Sequence, residues 1–535
     1  MSSDPPSAVS RCTLCPAGCE VEAVRTGPGT WRVDVPREAG RGCCPRGSAL
    51  VELMTHRRRI LYPALRAARG CHATDLNVAM RTILSAASGK GVSILLDGNV
   101  PAEQMAKAAA WCRAWDDAAI SFVLEPTDEQ LLLGTEASGA EYLADEELAT
   151  CDGFVIVGDA FAANPRCARG VLDRRQENRR TPVVAIDPAA GTAIKFATHH
   201  VDVAPGGEAD ALRAVAKAAG AEVEPPDVDD PSAQTAGRAI TDCTRLGVLL
   251  AAEYARDADW RQVGYLAGEL AEAKGGGVAP QTVGANALAA LRVGHAFGAR
   301  TLAESLADTS RVRVAVGCDP VGITGRGEAR AFAAAAALPN ATTELAEVIL
   351  PAAMSSELEG TYLLNQKTIT RVSPLLSPPA GVMRPAQVVA ALASAAGVAR
   401  PAPAKLPDLT QRIAPEPPQR SPTPTADGIM LLACRQAARA GSGALTGHSS
   451  WLSAAEALPE LTVSPEDAAA AGLKHLAPAT VTSDGRVVQV RVRVAPELPA
   501  GRVVLPEGHP PVRSLIPCRA DAPHATQRNP ISLEH

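Results

Sequence analysis

Apolar and polar positions alternate with period two across residues 21–25 and 31–35. The stretch between them, Thr26-Gly27-Pro28-Gly29-Thr30, is turn chemistry, so residues 11–60 open with a β-hairpin. From about residue 90 the pattern changes. Short, continuously apolar runs at 92–96, 154–157, 183–186, 248–251 and 312–316 read as buried strands. Helix-period stretches at 102–115, 166–175 and 208–219 lie between them. Strands without polar alternation are buried on both faces, which is the condition of a parallel sheet covered by helices. Ligands of such sheets bind beyond the carboxyl ends of the strands. Residues 400–424 hold eight prolines and cannot form regular structure. Beyond them, runs at 479–482, 487–494 and 502–505, with Asp484-Gly485 as a hairpin turn, predict a small β-barrel.

Composition narrows the class. The chain has 535 residues, 46% hydrophobic and 21% charged, enough for a large core in several domains. No apolar run approaches the ~20 residues of a membrane helix. A net charge of −6 and 3% aromatic residues argue against a nucleic-acid surface. Residues 1–10 show no basic, apolar or twin-arginine leader pattern, so a cytoplasmic location is expected.

Five of the thirteen cysteines lie in the first 44 residues, and the other eight are scattered singly. Cys12, Cys15 and Cys19 form a C-x2-C-x3-C run, and Cys43-Cys44 follow. Three thiolates on one turn-rich loop plus a remote one suit the corners of a [4Fe–4S] cube. A structural zinc site, which more often uses two separated C-x2-C pairs, is the competing reading. Cys44 is the expected fourth ligand, with Cys43 as the alternate.

These residues carry a resemblance. The cysteine run followed by Cys44-Pro45-Arg46-Gly47, then His56 and Arg59-Ile60-Leu61-Tyr62-Pro63, resembles the opening of the molybdopterin oxidoreductases. That family includes formate dehydrogenase catalytic subunits, periplasmic-type nitrate reductases and the large iron–sulfur subunit of respiratory complex I. Further along, Gly158 to Pro165 with Asn164, Val184 to Pro188 with Asp187, and Pro205-Gly206-Gly207 with Asp210 resemble family segments in the family's order. So do Gly317-Cys318-Asp319-Pro320, Gly360-Thr361-Tyr362 and the segment around His448. Taken singly, each is a loop glycine or a turn carboxylate; their order carries the likeness.

The resemblance implies a multidomain α/β molybdopterin-oxidoreductase-like fold. Its parts would be a [4Fe–4S] β domain at 1–62, a discontinuous α/β domain at 63–145 and 322–399, and a Rossmann-like α/β domain at 146–321. A Pro-rich linker at 400–427 and a dinucleotide-binding β-barrel at 428–535 complete it. It also implies bis-molybdopterin guanine dinucleotide with molybdenum or tungsten, oxidising formate or a similar small substrate. Gly158, Asn164, Asp187, Gly206, Gly207, Asp210, Gly317, Asp319, Gly360, Thr361 and His448 would contact that cofactor, and Arg46 would lie on the electron path from it. Glycines at strand ends let backbone amides approach phosphate, and strand-end carboxylates such as Asp187 and Asp210 can accept hydrogen bonds from guanine. A flavoprotein or iron–sulfur partner in a hetero-oligomer would take the electrons.

The sequence departs from the family in three places, one of them Ala160, which stands where the family's G-x-N-P has its Asn. No Cys-His pair, the formate dehydrogenase metal ligand, occurs between the strands at 92–96 and 154–157. That interval holds Cys112, in a helical pattern, and Cys151, just before the second strand. Its loop carboxylates Glu125 and Asp128 read as solvated turn residues, with metal ligation as the competing role. The cavity motif after Thr361 is also altered, with Asn365, Gln366, Lys367 and Thr368 in place of the family's residues. An alternative function follows: a non-catalytic relay or scaffold subunit with a degenerate pterin cavity.

Overall fold

The computed structural model describes residues 9–36, 42–189, 191–253, 258–420, 429–455, 458–519 and 531–534. The opening sheet is antiparallel, built from β1 (Val9–Arg11), β2 (Glu20–Gly27) and β3 (Thr30–Asp34). The hairpin expected at 21–35 is β2–β3. Arg11 pairs with Glu20, so the whole C-x2-C-x3-C run is the loop between β1 and β2. Its neck is closed by the Cys12 N–H donating to the Cys19 carbonyl at 2.8 Å.

Two predominantly parallel sheets follow, the first with an antiparallel hairpin, residues 64–73, along one edge. The first contains β4 (Ala64–Ala67), β5 (Gly70–Ala73), β6 (Val92–Asp97), β7 (Ala118–Val123), β13 (Val312–Val316), β14 (Ala333–Ala336) and β15 (Val348–Pro351), in the order β5-β4-β15-β14-β13-β6-β7. The second contains β8 (Gly153–Val157), β9 (Val183–Ile186), β10 (His199–Val201), β11 (Leu246–Leu250) and β12 (Gly277–Pro280), in the order β10-β9-β8-β11-β12. Residues of β6, β8, β9 and β11 are almost entirely buried, as their unbroken apolar runs require. In each sheet the chain order reverses about one strand pair, β6/β13 in the first and β8/β11 in the second. Crossovers leave such a pair towards opposite sides and open a crevice at its carboxyl end.

The boundary expected between 321 and 322 is corrected here. β13 pairs with β6 and β14, not with the second sheet, so the first α/β unit resumes before residue 312. An apolar five-residue strand looks the same in sequence whichever sheet it joins; long-range pairing decides.

A hairpin of β16 (Gly360–Leu364) and β17 (Thr368–Val372) packs beneath the cysteine loop. The described part of the proline-rich linker, residues 400–420, contains neither helix nor strand and straps the second α/β unit; residues 421–428 lie outside the described residues. Arg412 of the strap sits 5.1 Å from the Tyr142 ring centroid, and Arg420 pairs with Asp227 at 2.5 Å. The last sheet is β18 (Met430–Cys434), β19 (Glu460–Val463), β20 (Pro478–Ser483), β21 (Arg486–Val494), β22 (Arg502–Pro506) and β23 (Ile531–Glu534), ordered β18-β22-β19-β21-β20-β23. Among the described residues β18 and β23 are its edges, so the small β-barrel expected takes the form of a curled half-barrel. Its β20–β21 turn is Asp484-Gly485, both with positive φ (48° and 71°), the geometry that twists a two-residue hairpin correctly. Among the described residues no helix is long and apolar enough to cross a membrane.

Candidate functional site

The cysteine loop, the two crevices and the half-barrel meet. Cys12, Cys15 and Cys19 are buried and Cys44 is half-buried, directly ahead of the short helix Pro45–Ser48. Burial pushes the Cys15 thiol up to about 12, against the opposing charge of Arg46. It likewise raises Cys12 and Cys19, the latter against Arg166, which hydrogen-bonds Cys19. Cys44 acts electrostatically on all three. A dry pocket of four thiols favours ionised sulfur only when a cationic centre enters it. Among the described residues no three His, Cys, Asp or Glu side chains converge closely enough to hold a single metal ion.

Arg46 is buried at 4% exposure and bridges three parts of the molecule. Its Nη2 donates to the Ala163 carbonyl at 2.5 Å and its Nη1 to the Arg439 carbonyl at 3.4 Å. Its Nε is buried with no partner, an orphan donor beside the thiol pocket. Burial works against its charge, but Cys15 and Cys44 hold it above the ordinary arginine range.

At the β8/β11 crevice lies a cavity of about 640 Å³, walled by the segments after β8 and β9 and by the C-terminal domain. Gly158 (φ +73°) lies so close to β11 that a Cβ there would sit 2.3 Å from the Ala251 carbonyl. Asp159 accepts from the Ala162 N–H at 3.1 Å and the Thr192 N–H at 2.6 Å; Asp187 accepts from Ala189 and Gly191 N–H at 2.8 and 3.0 Å. Burial, together with the Asp187 charge, raises Asp159. Gly191 covers both carboxylates, since a Cβ would fall 2.5 Å from Asp187 Oδ2 and 2.9 Å from Asp159 Oδ2. Lys195, Arg435, Gln436 and Arg493 line the cavity, and Gln436 Oε1 is a buried acceptor without a partner. Pro45 also lines it, which joins the crevice to the cysteine pocket.

Asn164 is buried beside this crevice, but its Nδ2 is taken by Asp145 and by Gln281 Oε1 at 2.8 Å, and its Oδ1 caps the Arg166 N–H. Gly206 (φ +90°) and Gly207 lead into the helix Glu208–Ala218. Asp210, in that helix's first turn, receives Arg213 at 2.9 Å and the Asp227 N–H at 3.1 Å. The structure does not bring Gly206, Gly207 or Asp210 to the cavity walls.

The β6/β13 crevice is smaller, about 190 Å³. Asp97, Asn99, Glu125, Gly317, Cys318 and Asp319 line it, with residues 440–445 of the C-terminal domain opposite. Burial drives Asp97 up to about 7, with one opposing hydrogen bond from the Asn99 N–H at 2.9 Å. Asp319 is held by the Thr342 N–H and hydroxyl at 2.8 and 2.6 Å.

Glu125 and Asp128 correct the expectation of solvated turn carboxylates: both are buried. Arg513 donates to Glu125 at 2.8 Å, Arg435 donates to Asp128 at 2.6 Å, and Glu507 lies between the two arginines. The partners come from the far end of the chain, so the local sequence could not show them. Cys112 is buried in the helix Ala102–Arg113, and Cys151 is buried ahead of β8.

Three further residues serve the frame. Gly360 and Thr361 clamp Glu103, through the Thr361 N–H at 2.8 Å and its hydroxyl at 2.7 Å. His448 Nε2 lies 2.7 Å from the Pro339 carbonyl, with the His56 ring 5.4 Å away. The altered stretch after Thr361 braces the cysteine loop: the Asn365 N–H donates to the Pro16 carbonyl at 2.9 Å. Sequence reasoning missed Asp97 and Asp159. The signal was an aspartate closing or just following an apolar parallel strand, as in Asp97-Gly98 and Gly158-Asp159.

Residues 429–529 match the family described as Molydopterin dinucleotide binding domain. Acetylene hydratase from Pelobacter acetylenicus shares the fold over 98% of this chain and 99% of its own, with a TM-score of 0.71 at 11% identity. No curated protein matches the sequence.

Proposed function

We propose that this chain, which carries a molydopterin dinucleotide binding domain on the molybdopterin-oxidoreductase fold, is a redox subunit with a [4Fe–4S] cluster on Cys12, Cys15, Cys19 and Cys44 and a molybdenum or tungsten pterin dinucleotide in the β8/β11 crevice. The observation that carries this is continuity: Cys44 is followed by Pro45, a wall of the crevice, and by Arg46, which ties the thiol pocket to both Ala163 and Arg439. Bound there, the metal would supply two-electron oxidation of formate or a similar small substrate, and the cluster a one-electron outlet.

The chain's own residues have defined tasks. Four thiolates hold iron. Arg46 offsets the charge of Cys15 and Cys44, and Arg166 that of Cys19. Asp159 and Gln436 present acceptors suited to a guanine's N–H groups, while Lys195 and Arg493 stand near enough to balance pyrophosphate; Asp187 holds the Ala189–Gly191 turn behind them. The half-exposed Cys43–Cys44 edge is where an electron-accepting partner, a flavoprotein or iron–sulfur subunit, would dock.

The relay reading has its own support. Neither Cys112 nor Cys151 lines either crevice, so the interval that supplies a metal ligand in formate dehydrogenases offers no free thiol.

Metal and pterin analysis of anaerobically purified protein tests the proposal. About four iron with molybdenum or tungsten and pterin, and formate-dependent dye reduction, is the expected result. Iron without pterin and without either metal selects the relay reading; zinc in place of iron overturns both.

A further inference from the structure

The fold contains the same device twice, and the two copies differ in the lining and size of the cavities beside them. In the second sheet Val157 pairs with Ile186, and the Gly158 N–H donates to the Ile186 carbonyl at 3.2 Å. In the first sheet Val316 pairs with Ala335, and the Gly317 N–H donates to the Ala335 carbonyl at 2.8 Å. Both glycines have positive φ, +73° and +79°. Gly158 and Gly317 are therefore equivalent, and one step further in register Asp187 is equivalent to Ala336. At that register Asp187 is a carboxylate buried behind Gly191 and off the cavity wall, whereas Ala336 lines the smaller crevice together with Ala337 and Leu338.

Charge and size diverge in the same direction. The walls of the β8/β11 crevice carry Lys195, Arg435 and Arg493 against Asp159, Glu460 and Glu497. The walls of the β6/β13 crevice carry Asp97, Glu125 and Asp319 and no lysine, arginine or histidine. A pyrophosphate entering the second would find no cation on the walls to bind it, since the one arginine that pairs with a wall carboxylate, Arg513, is spent on Glu125 from behind. Its 190 Å³ falls below the ~300–1,000 Å³ of pockets for drug-sized ligands, whereas 640 Å³ falls within that range. Nor is the small chamber closed by a loose loop. Gly441 (φ +52°) lies so close to Glu125 that a Cβ would sit 2.6 Å from Oε1, and Arg513 pins Glu125 from behind.

Resting on the pterin reading above, we infer that this chain binds one pterin dinucleotide, in the β8/β11 crevice, and not the pair that the resemblance implies. The β6/β13 crevice is a small polar chamber that excludes phosphate-bearing ligands.

The test counts cofactor in the wild-type protein. Oxidised pterin fluorescence and GMP released by acid hydrolysis are measured per polypeptide, alongside iron. One pterin and one GMP per chain are expected. Two of each overturn the inference. None, with iron intact, overturns the pterin reading instead. The double variant Lys195→Ala/Arg493→Ala, at two cations of the cavity wall, locates the site: it should lower GMP per chain at least tenfold while iron and far-UV circular dichroism stay unchanged. Ala336→Leu, which narrows the second chamber, should leave the count at one. GMP lost from Ala336→Leu but kept in Lys195→Ala/Arg493→Ala would place the dinucleotide in the wrong crevice and overturn the assignment.

Discussion

Arg435 donates to Asp128 across 2.6 Å, a buried ion pair between residues 307 positions apart. It ties the half-barrel to the first turn of the helix Pro126–Ser138, and burial still drives Asp128 up to about 6 despite the arginine. Removing one partner leaves an uncompensated charge in the interior. Arg435→Met should therefore cost about 3–5 kcal/mol in urea unfolding. The double variant Arg435→Met/Asp128→Asn should regain part of that loss. An additive double variant would show that the two do not interact.

Asp97 gives a pH signature. Its carboxyl titrates near 7 when folded, against an ordinary 3.8, so folding takes up a proton between those values. Stability from this group is full below the unfolded value, falls as pH rises towards 7 and is flat above. Asp97→Asn should be the more stable protein at pH 8, by up to about 4 kcal/mol at 1.36 kcal/mol per pH unit, with the gap closing towards pH 4. Parallel stability–pH profiles for the two proteins would rule this out.

Gly18 is fixed by both backbone and space. Its φ is +52°, and a Cβ would meet Leu364 Cδ1 at 2.5 Å. Gly18→Ala should lower iron per chain and the ~400 nm absorbance of the cluster while far-UV circular dichroism is preserved, because the strain falls on the ligand loop. Full iron incorporation would mean the loop has slack.

Cys43 and Cys44 separate the two fourth-ligand assignments. Cys44→Ser should lose the reduced cluster's EPR signal, as should Cys15→Ser. Cys43→Ser should retain it. The reverse pattern would move the ligand to Cys43, which sits with Cys12 around Gly47.

For Arg46, the expected outcome of Arg46→Ala is an intact cluster with slower pterin-to-cluster electron transfer in stopped-flow. A normal rate removes it from the path.

The sequence showed what is local. The strand ends at 97, 158, 187 and 317, the helix starting at 208 and the Asp484-Gly485 turn all follow from a few adjacent residues, and the cysteine run lies on a single hairpin loop. What it hid is non-local. Residues 312–316 could not reveal their sheet, and the carboxylates at 125 and 128 could not reveal arginines nearly four hundred and three hundred positions away. The stretch after Thr361 looked like a damaged cavity motif because its contact with Pro16 depends on the whole fold.

The C-terminal domain supplies a wall to both crevices. Without it, the strand ends of both sheets would stand open to the solvent on one side. Arg435 and Arg513 act as bolts on that shared wall, each running from the C-terminal domain to a carboxylate within residues 125–128. Loosening either bolt would therefore unsettle two rooms at once.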